Sequence, residues 1–203
     1  MKRTICSLAM LLFLANPVLA EEKKEFNLNY NLRSFFGMVN GNACINIKDD
    51  ESRFNFNMRD VNMKYIYVKK GNTNVLNQEA EGANDFYVWT DSGTITYYSG
   101  KDKISKTINN DKNAIDILTA FKQFCNNKNK NNFYVINNGK IYSLNIMPSS
   151  VKGYNMKVDV SKLDISGIKE ILVEIEYTGD ERKIKRAKLV RSFYNSIDVK
   201  LND

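Results

Sequence analysis

Without a single histidine among its 203 residues, the chain lacks the commonest general base, the usual partner of a nucleophilic serine or cysteine, and the commonest zinc ligand. Carboxylates are what remain for acid–base work. Glu79/Glu81 and Glu174/Glu176 are pairs at i, i+2 spacing, which a strand would place on one face. Such pairs could in principle share a reaction, but the solvated face of an edge strand presents the same spacing. Asp49-Asp50-Glu51 crowds three carboxylates without the spaced oxygen ligands of a calcium loop, and it reads as a turn. No glycine-rich phosphate cradle is present. The sequence therefore assigns no catalytic residue, no metal ligand and no cofactor, and a non-enzymatic protein is expected.

Binding chemistry has more to work with. Trp89, Phe86, Tyr97 and Tyr98 cluster around an expected hairpin, where they serve either core packing or a ligand surface. The one dense basic stretch runs from Arg182 to Lys188. Its alternation suits a strand with a solvated basic face carrying Arg182, Lys183, Lys185 and Arg186, or a patch for anionic lipid or nucleic acid. Export argues against nucleic acid as a partner.

That export is read from the N-terminus. Lys2 and Arg3 precede an apolar run from Ile5 to Ala15, followed by Pro17 and Val18-Leu19-Ala20. These are the parts of a secretory signal peptide cleaved after Ala20, and the run is well short of the roughly 20 residues that span a bilayer. Residues 21–203 then form a single soluble periplasmic domain, large enough for a sizeable core. Cleavage removes two of the thirty basic residues and no acidic one, so the net charge falls from +7 to +5. Cys44 and Cys125 remain. In an oxidising compartment two cysteines often bond; here Cys44 shares a strand face with Asn42 and Asn46 while Cys125 lies on an apolar helix stripe, a conflict that one bulge would remove.

The elements that must position these residues centre on 111–146. Ala114, Ile117, Leu118, Phe121, Phe124 and Cys125 fall on one helix face, with Asp116, Thr119, Lys122 and Gln123 on the other, predicting a helix over 113–125 capped by Asn113. Asn138-Gly139 predicts a type I′ hairpin that sets Ile136 opposite Ile141, Val135 opposite Tyr142 and Phe133 opposite Leu144. Strands are expected at 26–32, around 43–47, at 54–58, 73–80, 85–90, 94–99, 153–160, 171–177, 182–191 and 197–201, with Asn40-Gly41 as a second hairpin turn. Residues 60–71 fit a helix through Val61, Tyr65 and Val68, or a strand through Met63, Tyr65 and Tyr67. The fold class is mainly β (α+β), a curved antiparallel sheet or half-barrel of about ten strands enclosing one or two helices.

In the order of its features the chain resembles a proteobacterial family of periplasmic proteins classed as a domain of unknown function, LolA/LolB-like in shape. The resemblance rests on Gly41-Asn42-Ala43, Glu81-Gly82, the run Asp116-Ile117-Leu118-Thr119-Ala120, Phe133-Tyr134-Val135 and Asn138-Gly139-Lys140-Ile141-Tyr142. The chain lacks the family's Pro after the helix-initiating Asp and has Asn-Gly in place of its Asp-Gly. The resemblance implies an incomplete barrel closed by helices, with 60–71 helical, and supplies no catalytic residue. The apolar strand faces exceed what one short helix can cover, which points to a lipophilic ligand, an acyl chain or lipid-anchored peptide, held against Phe121, Phe133, Val135, Tyr142, Leu144 and Trp89. The alternative is a cell-envelope interaction factor that docks another protein through a sheet edge or the basic strand.

Overall fold

Period-two alternation governs most of the chain, and each alternating run becomes a strand. The computed structural model describes residues 26–34, 40–58, 61–80, 83–90, 93–163, 169–179, 181–192 and 195–201. The strands are β1 (Phe26–Ser34), β2 (Asn40–Ile47), β3 (Glu51–Met58), β4 (Val61–Lys70), β5 (Thr73–Ala80), β6 (Ala83–Thr90), β7 (Gly93–Ser99) and β8 (Ile104–Asn110). After helix α1 (Ile117–Asn126) come β9 (Asn132–Asn137), β10 (Lys140–Pro148), β11 (Met156–Asp159), β12 (Glu170–Thr178), β13 (Glu181–Ser192) and β14 (Asn195–Leu201), with one 3₁₀ turn at Ser161–Leu163.

The fourteen strands lie in the order β8 back to β1, then β14 back to β9, all antiparallel. Each half is a meander, and β1 pairs with β14 to join them. The sheet curls as a half-barrel whose two free edges, β8 and β9, are consecutive in sequence. The crossover carrying α1 therefore has to span that seam. Asn110 turns the chain by accepting from the Ala114 amide at 2.6 Å, and Ile115 then bridges to Val135 of β9 in parallel. At the far side of the seam Lys106 of β8 donates to the Gly139 carbonyl at 3.1 Å. The hairpin tip has the expected positive φ values, 47° at Asn138 and 64° at Gly139, and a Cβ at Gly139 would lie 2.5 Å from the Tyr97 ring. Glycine is required there by both turn geometry and contact.

Several expectations hold in detail. The β9–β10 register sets Ile136 opposite Ile141, Val135 opposite Tyr142 and Phe133 opposite Leu144. Within 60–71, open between helix and strand and helical by the resemblance, Val61–Lys70 form β4: Met63, Tyr65 and Tyr67 are all buried on one face. Strand β8 was not foreseen, because its exposed edge needs no apolar alternation. Asn40 and Gly41 are not a turn; they open β2, paired with Arg33 and Leu32. The inward faces of both meanders and the α1 stripe merge into one core, with Ile117, Leu118, Phe121, Phe124 and Cys125 packed against Phe133, Val135, Ile175 and Ile184 among others.

The helix starts later than the pattern suggested, and its cap is Asp116. Asn113 instead takes a left-handed turn conformation, while the buried Asp116 carboxylate accepts from the amides of Leu118 and Thr119 at 2.9 and 3.0 Å. Burial raises the Asp116 pKa more than these hydrogen bonds lower it. The folded protein thus holds this proton more tightly than the unfolded chain. Its contribution to stability is full below the ordinary carboxylate pKa and is lost as pH rises through the raised folded value. Asp116→Asn keeps an oxygen acceptor and carries no charge. Its melting temperature, relative to wild type, should climb as pH rises above the ordinary carboxylate range; a constant offset would mean that Asp116 does not titrate with a raised pKa.

Candidate functional site

The turn between β2 and β3 and the polar face of α1 stand opposite one another across a groove. On the sheet side, Lys48 and Asp49 lead into the turn, which closes by Lys48 amide to Glu51 carbonyl at 2.7 Å and holds β4 through Lys69 amide to Asp50 carbonyl at 2.8 Å. On the helix side, Thr119, Lys122, Gln123 and Asn126 recur at three- and four-residue spacing, so a face opposite the apolar stripe is continuous. Asn127 and Lys130 extend that wall beyond the helix. Between the walls lies a space of about 440 Å³, with the buried side chains of Ser52 and Tyr67 also lining it. Two contacts set its width and shape. Lys122 Nζ meets Asp49 Oδ1 at 2.7 Å across the groove, and Lys130 Nζ donates to Gln123 Oε1 at 2.5 Å along one wall.

Beneath the helix end sits Arg182 of β13, 1% exposed. Its guanidinium donates to the carbonyls of Phe124 and Lys130, each at 3.1 Å, to Asn131 Oδ1 at 2.6 Å and to the Lys128 carbonyl, and it stacks 4.0 Å from the Phe124 ring centroid. Carbonyls at a helix C-terminus lack intrahelical donors and carry the negative pole of the macrodipole. Arg182 satisfies and neutralises that end, which is the end adjoining the groove. This corrects its placement on a basic surface. Of the other three residues given that role, Lys185 pairs with Glu176 at 2.7 Å and Arg186 with Glu174 at 2.5 Å, and Lys183 stands in register with Glu176. The carboxylate pair of β12 is therefore committed to ion pairing with β13. Glu79 is exposed on β5, and Glu81 lies outside the described residues.

The six residues expected to line a lipophilic cavity are brought together, but as core. Phe121, Phe133, Val135, Leu144 and Trp89 are each 5% exposed or less, and Tyr142 packs against the same cluster. Trp89 lies 6.2 Å from the Tyr67 ring, while Phe86 and Tyr98, from the same expected aromatic cluster, face outward. None of the six lines the groove. Cys44 and Cys125 are both free thiols, so the disulfide considered above does not form: Cys44 sits partly exposed on β2, paired with Asn55, and Cys125 is sealed in the core. Burial pushes the Cys125 thiol far up, leaving it protonated and unreactive at neutral pH. Burial likewise raises Tyr87, whose ring lies tilted 4.8 Å from that of Tyr97; the Tyr97 hydroxyl donates to Asp85.

Among the described residues no group of three or more Cys, Asp or Glu side chains could hold a metal ion, and no helix is long and apolar enough to cross a membrane. The groove was missed in the sequence because Lys48, Lys69, Lys122 and Lys130 belong to distant stretches. No family model matches the chain, and no curated protein matches it either.

Proposed function

We propose that the mature chain is an exported, non-enzymatic binding protein of the cell envelope whose ligand is anionic and seats between α1 and the β2–β4 end of the sheet. One observation carries this reading: four lysines from separate stretches converge on a single groove that holds one carboxylate. Such a surplus of positive charge at a concave, partly buried surface attracts anions and weakens with salt. Arg182 offsets the negative helix pole that adjoins the groove. Export is supported by the signal-like residues 1–20.

A lipophilic ligand has less in its favour, since an acyl chain would have to displace Phe121, Trp89 and their neighbours from the core. Docking through the basic strand is weakened in the same way by the buried Arg182 and by the pairing of Lys185 and Arg186. The test is an NMR titration of the mature protein with citrate and with inorganic phosphate. Amides of Thr119, Gln123, Asn126 and Asn127 should shift, and Lys69→Glu combined with Lys130→Glu should weaken binding at least about tenfold, the order of effect expected when two attractive charges are reversed. Absence of groove shifts with both anions would overturn the reading.

A further inference from the structure

We infer that the open edge of β8 takes an extended, acidic segment of a partner protein as an added strand, an interaction separate from the groove. The two edges of the half-barrel are not alike. On β9 the crossover seals the edge: the Ile115 amide donates to the Tyr134 carbonyl at 2.9 Å, and the Ile136 amide to the Ile115 carbonyl at 3.0 Å. Among the described residues, β8 pairs with β7 alone. From Ile104 to Thr107 every residue is exposed, on the inward and the outward side of the strand alike. Sheet edges are ordinarily guarded by a proline, a bulge, a very short strand or a lysine standing over them. This strand runs seven residues in unbroken register and has no proline. Its single lysine does not stand over the edge: Lys106 donates to the carbonyl of Gly139, which lies against the buried ring of Tyr97, so its side chain points into the half-barrel.

The surroundings of the edge give the partner its chemistry. Between Lys101 and Lys112 the chain carries four lysines and two aspartates, and Lys140 follows directly on the Gly139 contact. One of the aspartates, Asp102, accepts from the Ser99 hydroxyl at 3.1 Å. This surplus of positive charge favours a strand that carries carboxylates. A carboxylate facing Lys106 meets an ammonium with two donors beyond the one given to Gly139. Apolar anchors stand on both faces. Ile104 is exposed on the inward side, the side on which Ile108 packs against the core. On the outward side the exposed Tyr98 ring stands behind the small Ser105 in register, with the exposed Phe86 next to it. A long or aromatic side chain opposite Ser105 can lean across it onto Tyr98, as neighbours on one sheet face do. In this mode of recognition the main-chain ladder supplies affinity and alternate side chains supply selectivity.

The probes are two peptides of about eight residues, one alternating valine with glutamate and the other valine with lysine, a length that matches the edge. Each is added to the mature protein and followed by NMR and amide hydrogen exchange. The glutamate peptide should slow exchange at alternate amides of residues 104–108, the mark of an added strand, and bind at least about tenfold tighter than the lysine peptide. Thr107→Glu changes an exposed residue on the outward face and spares the core. It should narrow the gap between the two peptides at least about threefold. Tyr98→Thr, which keeps a strand-forming residue and removes the ring, should weaken the glutamate peptide, whereas Lys130→Glu in the groove should leave it unchanged. Equal binding of the two peptides to the wild-type protein, or no slowing at 104–108 with either, would overturn the assignment. So would a wild-type protein that is dimeric by sedimentation and becomes monomeric in Thr107→Glu, because the edge would then belong to a second copy of this chain.

Discussion

Phe121→Asp should cost the domain at least about 4 kcal/mol, the sum of a large-to-small core deletion and an unpaired carboxylate buried among apolar groups. Phe121 is 3% exposed and sits mid-stripe between Ile117, Leu118, Phe124 and Cys125, all in the same core. Arg182, the buried cation stacked on Phe124, is already committed to four acceptors. The comparison is with Lys122→Ala, one residue on. The Lys122–Asp49 pair is partly exposed, at 25% and 52% of the two side chains, so its loss should cost no more than about 1 kcal/mol. Lys122→Asp is a poorer control than the helix pattern suggests, because it would set two carboxylates face to face across the groove. Urea denaturation of the three proteins gives the answer. Equal midpoints for Phe121→Asp and wild type would mean that α1 is a mobile cover on the sheet and not part of its core.

What could be read in advance follows from which signals are local. The β9–β10 register was legible because Asn138-Gly139 admits one tight turn and period two then fixes each facing pair. The α1 stripe was legible for the same kind of reason, at period 3.6. Its start was not, since Asn113 and Asp116 are both capping residue types, and only the packing of Asp116 against the helix amides distinguishes them. Residues 61–70 were ambiguous because Tyr65 satisfies both periods; the pairing of β4 with β3 and β5 on either side decides in favour of strand. The half-barrel itself follows from many short alternating runs. The groove was out of reach, because its lysines meet only after the six strands β3 to β8 have brought the chain back so that α1 faces the β2–β3 turn. Arg182 was misplaced for a related reason. In sequence it is one cation among several, and nothing local marks the one that folding places beneath the carbonyls at the end of α1.

Arg182→Met is accordingly the second large expected effect, a loss of about 2 to 3 kcal/mol, the order expected when buried neutral acceptors lose their donor and stay behind. Methionine approximates the length and apolar stem, so the contact with the Phe124 ring largely survives. What disappears is the donor set, leaving the carbonyls of Phe124, Lys128 and Lys130 and the Asn131 side chain buried or half-buried without it. Arg182→Lys should recover only part of the loss, because an ammonium cannot present the planar fork that reaches both the helix end and the 128–131 turn. The damage should also be local before it is global. The Asn131 carbonyl accepts from the Ile146 amide of β10 at 2.8 Å, so a loosened turn would speed hydrogen exchange at Ile146 and displace Asn127 and Lys130 from the groove wall. Anion affinity should then fall in Arg182→Met under conditions where the protein is still folded, although Arg182 itself does not line the groove. Wild-type stability together with unchanged exchange at Ile146 would show that the guanidinium is not what holds this corner, and the electrostatic neutralisation assigned to it would have to be given up.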